Sequence, residues 1–475
     1  MKKEMKKNLF MVAAVALMAM VSCNKEEINN GVQEAPVSDI VFEAETPMTK
    51  TTIGEAVDEN GVRPVSWVVG DKITINGSEF EAKELKENKA IFKTENLDFT
   101  TAESYEAIYP ATAGTSLSAV TIAAEQDGTF ANASIAVAQS ETQSLSFKNL
   151  ASMLKFQVPV ACSSVTIEST APLAGTVSVS FDEDGNPVLG EVTAASNSIV
   201  IEKSLATGTD YYVAVLPGEH QFTVKMESVV AKASDKKVAL VRAQIGNLTT
   251  LPRPDVNVYI LASHLSWSKA NILVDGKSSA MTSATVSGCE YFKATVPFNT
   301  NANIKFNSGG TTSSYWMVQV GADNEKITIG SDKYYRISPR GPVEINPADE
   351  STFGYSIFVF DQKSKNQAPN LYVWEDNNAF KNLYGGNFSS WPGVAFKNDS
   401  YYKPANNQNW KHYYYYEIPT ALYGKSFKFI VNKSGQTSDL SVTNLAGDLY
   451  VGYWYDSASS NGFWANTNLN TPITQ

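Results

Sequence analysis

The sequence predicts an all-β chain built of tandem β-sandwich domains. Three observations carry that prediction. Short segments alternate apolar and polar residues, Gly, Asn, Asp and Pro punctuate them, and no long stretch places apolar residues at helical spacing. The 475 residues correspond to about three domains at roughly 150 residues each. Hydrophobic residues make up 43% and charged residues 18%, a balance able to bury real cores.

The first segment reads as an address. Lys2, Lys3, Lys6 and Lys7 form a basic start, and the apolar run Leu9 to Val21 is too short to span a bilayer. It ends in Met20-Val21-Ser22-Cys23. Small residues before a cysteine resemble a bacterial lipobox, which implies a signal peptide over 1–22 and lipidation of Cys23. Several acyl chains anchor stably where one does not. Asn24-Lys25-Glu26-Glu27 resembles the surface-export signal of Bacteroidota lipoproteins. The expectation is an outer-membrane, lipid-anchored protein displayed on the cell surface, with 23–37 as lipidated Cys and flexible tether. No later apolar run reaches 18 residues, so no further span is expected.

Strand signals follow in order. Ile40-Val41-Phe42-Glu43-Ala44 starts one, and Lys72-Ile73-Thr74-Ile75 alternates. Thr176 to Phe181 alternates up to Asp184-Gly185, a tight-turn pair. Tyr211 to Leu216 and Phe222 to Met226 come next. The motifs Thr46-Pro47-Met48-Thr49-Lys50-Thr51-Thr52, Trp67 with Gly70-Asp71-Lys72-Ile73, and Phe147 to Phe156 resemble the fimbrillin-like lipoproteins of Bacteroidota. The resemblance covers about 38–250 and implies two sandwich subdomains, 38–144 and 145–250. Some of that family polymerise by strand exchange and others are surface scaffolds. A long aromatic extension departs from the polymerising pattern.

The chain changes character near residue 252. Before it stand one Trp and four Tyr; after it, seven Trp and 18 Tyr. Leu251-Pro252-Arg253-Pro254-Asp255 reads as a stiff linker. Beyond it the sequence repeats. Val256 to Leu261 answers Tyr355 to Phe360, and Asn271-Ile272-Leu273-Val274 answers Asn370-Leu371-Tyr372-Val373, the two segments starting fifteen residues apart within each copy. Asn307-Ser308-Gly309 answers Asn432-Lys433-Ser434-Gly435. The second copy is longer by about 26 residues, which fall near Trp391 and Trp410. Two sandwich modules are expected, 254–346 and 348–475.

The second copy resembles a starch-binding carbohydrate-binding module of family 26. The resemblance rests on Asn370 to Asp376, Trp391-Pro392-Gly393-Val394, the aromatic strand His412 to Tyr416, and Phe427 to Asn432 with Gly435 to Leu440. The first copy lacks Trp-Pro-Gly and the Gln-Thr-Ser-Asp-Leu run but keeps Tyr259 and Trp267, where such modules often hold a stacking pair. A flat ring covers the apolar face of a sugar without demanding hydrogen bonds. About 100 Å2 of apolar burial contributes about 2.5 kcal/mol per ring. The sugar hydroxyls need polar partners beside the ring. Candidate rings are Trp391, Trp374, Tyr372, Trp267, Tyr259 and Trp410. Candidate polar partners are Gln436, Lys433, Asp376, Asn370 and Asp439. Each ring has a second reading as core. Tyr372 and Trp374 share one strand face, which is either binding surface or sandwich interior.

Composition narrows the chemistry. A net charge of −11 argues against nucleic acid. Three His and three Cys argue against a zinc or haem enzyme and against a disulfide scaffold, so no cofactor or metal is expected. Asp182-Glu183-Asp184-Gly185-Asn186 lacks the distal Glu of a calcium loop and reads as a hairpin turn. Glu375 and Asp376 are adjacent, so on a strand they point to opposite faces and cannot flank one glycosidic bond. The sequence holds no GxSxG, HExxH or P-loop. The reading is a non-catalytic surface lipoprotein that captures starch or a related α-glucan, working with an outer-membrane importer and an amylase. The competing reading is a fimbrial or adhesin-type structural lipoprotein whose rings serve cores or protein contacts.

Overall fold

The computed structural model describes residues 40–453 apart from 46–51, 54–64, 88, 263–266, 310–316, 339, 362–367, 375–376, 403–410 and 434. The expected lipidation at Cys23 and the site candidates Asp376 and Trp410 lie outside the described residues, as do Trp316, Trp454 and Trp464. The fold is an all-β series of sandwiches with a few short helices. Among the described residues no helix is long and apolar enough to cross a membrane.

The first sheet has eight strands in the order Ser144–Leu145, Phe42–Glu45, Lys89–Lys93, Ser78–Lys86, Lys72–Ile75, Tyr105–Tyr109, Ala136–Ser140, Lys148–Asn149. Alternation drives Phe42, Ala44, Phe80, Ala82, Phe92 and Tyr105 to one side, where they form a separate apolar cluster. Trp67 is the hub of its far end. Its ring stands edge-on to Phe92, Tyr109 and Phe147 at 5.1, 5.2 and 5.4 Å. Its indole N–H donates to Glu45 O at 3.2 Å, so burial leaves no donor unpaired.

The next sheets interlock with the first across the expected boundary at 144. Strand Val120–Ile122 joins Ala174–Phe181, while Lys148–Asn149 pairs back onto Ala136–Ser140. The Asp184-Gly185 hairpin is wider than a two-residue turn. Phe181 pairs with Pro187, and the intervening five-residue loop is closed by the Asp182 carboxylate, which accepts from the backbone N–H of Asp184 at 3.0 Å and of Asn186 at 2.7 Å. Those N–H donors hold the Asp182 carboxyl below the usual range.

The segment near 252 is bonded to the domains on both sides. Leu251 is buried and donates its N–H to Gln157 O at 2.9 Å, and Phe298 donates to Pro254 O at 2.8 Å. Arg253 Nε donates to Phe298 O at 2.7 Å. Leu251 and Val256 sit in one apolar cluster that continues from residues before the linker into the module after it.

The two copies of the repeat share a topology. Asp255–Leu261 lies between an antiparallel strand, Cys289–Pro297, and a parallel one, Lys333–Ser338. Ser356–Asp361 lies likewise between Lys411–Glu417 and Leu449–Tyr453. On the opposite sheets Asn271 pairs with Asn307, and Asn370 pairs with Asn432. The added residues of the second copy include a helix, Asn377–Tyr384, anchored by the buried Phe380.

A buried ion pair fastens the copies together. Arg336, from the strand Lys333–Ser338, is fully buried and pairs with the nearly fully buried Asp448. Arg336 Nε donates to Phe353 O at 2.6 Å and Nη2 to Gly354 O at 2.8 Å. Asp448 accepts from Ser356 N at 2.9 Å and from the Tyr450 hydroxyl at 3.4 Å. The guanidinium also lies over the Tyr355 ring at 5.5 Å. Every oxygen and most N–H groups of the pair are thus satisfied.

His220 provides a pH prediction. It is buried, with Nε2 donating to Leu216 O at 2.9 Å and Nδ1 accepting from Ser169 Oγ at 3.1 Å. This is a fully paired neutral imidazole, and burial lowers its pKa from 6.5. As pH falls below that value the unfolded chain takes the proton first, so stability present above it is lost below it. The thermal midpoint is expected to fall between about pH 7 and about pH 5, and to fall less in His220→Gln. Equal slopes in the two proteins would refute the assignment.

Candidate functional site

The last module carries an aromatic ledge on its outer face. In the strand Asn370–Val373 alternation sends Leu371 and Val373 into the core and turns Asn370, Tyr372 and then Trp374 outward. Trp374 is 38% exposed and Trp391 is 58% exposed. The Tyr372 ring lies 5.2 Å from Trp374 at 83° and 5.7 Å from Trp391 at 58°. Three rings therefore meet at steep angles around Tyr372.

Beside the ledge on the neighbouring strand stands Ile430. It sits directly opposite Tyr372 on the strand Phe427–Asn432 and is 4% exposed, yet it does not belong to the sandwich core that holds its neighbours Phe429 and Val431. An aliphatic side chain buried on an outer face needs cover, and the neighbouring rings are the apolar groups placed to supply it.

The Trp391 loop is pinned to the sheet. Gly393 N donates to Ser390 O at 2.7 Å and closes the turn. Gly393 has φ +90° and lies against the neighbouring strand, where a Cβ would stand 2.6 Å from Leu371 C. Asn432 is buried and donates Nδ2–H to Pro392 O at 2.7 Å. Phe396 N donates to Pro369 O at 2.9 Å on the far side.

Polar groups fringe the rings. Gln436 and Lys433 are exposed, as is Asp439. Lys433 Nζ donates to Ala368 O at 3.0 Å, so it holds the neighbouring backbone as well as facing solvent. Asn370 is half-buried, with Nδ2 donating to Asn432 Oδ1 at 3.3 Å. The Gln-Thr-Ser-Asp run folds back on its strand: Thr437 Oγ1 accepts from Val431 N at 3.2 Å, leaving Gln436 beside Asn432.

The first copy has no such ledge at the same register. Leu273 and Lys305 occupy the positions of Tyr372 and Ile430. Tyr259 is a correction to the expected stacking pair. It is buried, with its ring parallel to Tyr334 at 4.4 Å and edge-on to Tyr291 at 6.0 Å. Val258 and Ile260 face the module's own core, and Tyr259 faces a second cluster that runs on through Ile345 and Phe353 into the last module. Burial raises its hydroxyl pKa and pushes that of Tyr334 up to about 12. Trp267 is half-buried and packs on the other cluster, the one that includes Ile272 and Phe306, so the two do not form an exposed platform.

Sequence reasoning missed Ile430, Asn432 as a support, and the Gly393 contact. A signal for Asn432 existed: Asn recurs at 307 and 432 in matching places of the two copies. The cysteines Cys162 and Cys289 are free, and burial pushes the Cys162 thiol up to about 11, which makes it inert at neutral pH.

No family model and no curated protein matches the sequence. Among solved structures the chain is similar to candidate cell adhesion proteins of Bacteroides. That from B. ovatus ATCC 8483 has a TM-score of 0.28 and 13% identity, covering 44% of this chain and 93% of its own. That from B. uniformis ATCC 8492 has a TM-score of 0.28 and 17% identity over 44% and 91%. That from B. fragilis NCTC 9343 has a TM-score of 0.26 and 13% identity over 44% and 91%. A likeness of this size covers less than half the chain, and the reading of the site stands on its geometry alone.

Proposed function

We propose that the chain is a non-catalytic cell-surface attachment protein whose last module captures an α-glucan. Adhesion is the broad description shared with the Bacteroides proteins above, and sugar capture is the narrower one. The observation that supports it is the open, tilted set of Tyr372, Trp374 and Trp391. Rings at steep angles suit a curved α-1,4 chain better than a flat ribbon, and Gln436 and Asp439 offer hydrogen-bonding partners for its rim. A single site of this kind gives a Kd of about 0.1–1 mM, about −4 to −5.5 kcal/mol. Anchoring at Cys23 would place many copies on one surface and raise the effective concentration, with an importer and amylase as partners. The preceding domains act as the spacer.

A second reading has its own observation. Val230, Val238, Val241 and Ile245 are exposed on or beside strands that end their sheets. Such edges suit protein contacts, as in an adhesin or fimbrial assembly. Affinity electrophoresis in amylopectin separates the two. Retarded migration is expected, and Trp391→Ala should weaken binding about 30-fold through the loss of about 2 kcal/mol of ring stacking. The thermal midpoint should hold within about 1 °C, because the ring lies mostly in solvent. Unretarded migration with no hit on a glycan array would move the assignment to protein adhesion.

A further inference from the structure

We infer that Asn432 is a positioning residue for the sugar ledge: its amide latches the Trp391 loop to the sheet and so sets the angle at which Trp391 meets Tyr372. The inference rests on the glycan-binding reading and adds a residue that touches no sugar. Asn432 is 1% exposed, so it contributes no surface of its own. Its Nδ2–H donates to Pro392 O at 2.7 Å, one residue from the Trp391 ring. Its Oδ1 is held in turn by Asn370 Nδ2 at 3.3 Å, from the same strand face as Tyr372. One buried amide therefore ties both halves of the ledge together. Fixing a loop in its binding geometry lowers the ordering cost of association.

The first copy supplies the internal comparison. Asn307 is 3% exposed and pairs with Asn271 in the same register, and its Oδ1 accepts from Gly309 N at 3.0 Å. The sequence there has no Trp-Pro-Gly loop. The buried Asn thus belongs to the shared fold, and the latch is the use the second copy makes of it.

The test uses the full chain, with maltoheptaose affinity by titration calorimetry and the near-UV circular dichroism of Trp391, isolated as the difference from Trp391→Phe. Asn432→Ala is expected to weaken maltoheptaose about tenfold, the worth of one buried hydrogen bond, and to change the Trp391 band. Asn307→Ala removes the matching amide and is expected to leave both unchanged. Wild-type affinity in Asn432→Ala overturns the inference. So does a loss of affinity with an unaltered Trp391 band, which would place the amide on the sugar itself. Should Asn432→Ala fail to fold, Asn370→Ala frees the same amide at a half-buried position. It is expected to weaken binding about threefold with the same change in the band, and no change in either overturns the latch. If Trp391→Ala leaves binding intact, the glycan reading fails first, and the Trp391 band alone then decides whether Asn432 holds the loop.

Discussion

Asp448→Ala is expected to destabilise the C-terminal half by about 3–5 kcal/mol, because it strands the Arg336 guanidinium without its counter-charge. Arg336 is fully buried and Asp448 nearly so. The remaining acceptors, Phe353 O and Gly354 O, satisfy two donors but carry no formal charge. Loss of Asp448 also orphans Ser356 N at the start of the central strand of the last module. The effect should therefore loosen both modules at once. Seven Trp lie beyond residue 252, so their fluorescence reports on the unfolding in urea. Two controls sharpen the result. Glu417→Ala removes the neighbouring pair with Arg340, whose side chains are 24% and 42% exposed, and should cost under about 1 kcal/mol. Replacing both members, Arg336→Met with Asp448→Leu, should recover much of the loss, as buried pairs exchanged for apolar groups often do. A single Asp448→Ala midpoint within error of wild type would show that the guanidinium finds other company.

The sequence made much of this visible, and physics explains which parts. Alternation and turn residues announced the strands, because a pleated chain with one buried face has period two whatever its partners are. The repeat was legible because two sandwiches with one topology need the same residue types at the same register, as in Asn271 with Asn307 and Asn370 with Asn432. Pro-Gly after Trp391 announced a turn but left its ring either a platform or a packing residue, and only the structure shows it open. Tyr259 and Tyr372 could not be told apart. Both face away from their own sandwich core, and what decides their roles is whether another element covers that face. Such cover comes from residues far along the chain. Arg336 and Asp448 are 112 residues apart, and a pairing at that distance imposes no local pattern. The contacts of the segment at Pro252 were hidden for a related reason: proline forbids regular pairing at its own nitrogen but leaves Leu251 N–H and the carbonyl of Pro254 able to bond.

Gly393→Ala is the second large effect, and it separates a platform held by backbone fit from one held by its ring alone. A Cβ at residue 393 would lie 2.6 Å from Leu371 C and 2.9 Å from Tyr372 Cα, and closer still to Leu371 O. Those are main-chain atoms of the strand that carries Tyr372 and Trp374, and a paired strand cannot step aside as a flexible side chain can. The backbone at 393 is also left-handed, at φ +90°, which disfavours any residue with a Cβ. Overpacking of about 1–3 kcal/mol and backbone strain of about 1 kcal/mol together approach 3 kcal/mol. The loop is tied at its flanks, where Val373 N bonds Phe388 O and Val394-Ala395 pairs with Leu371-Asn370, and between them by Asn432 on Pro392 O and the Ser390 turn. The strain should therefore be relieved by the loop lifting off the sheet, carrying Trp391 away from Tyr372 and exposing Ile430. Amylopectin retardation should be lost as completely as in Trp391→Ala, but with a lowered thermal midpoint that Trp391→Ala does not share. Raised binding of a hydrophobic dye would report the uncovered Ile430. Normal retardation at a normal midpoint would mean that the loop does not rest on the strand, and that Trp391 is held by something other than the close approach of Gly393.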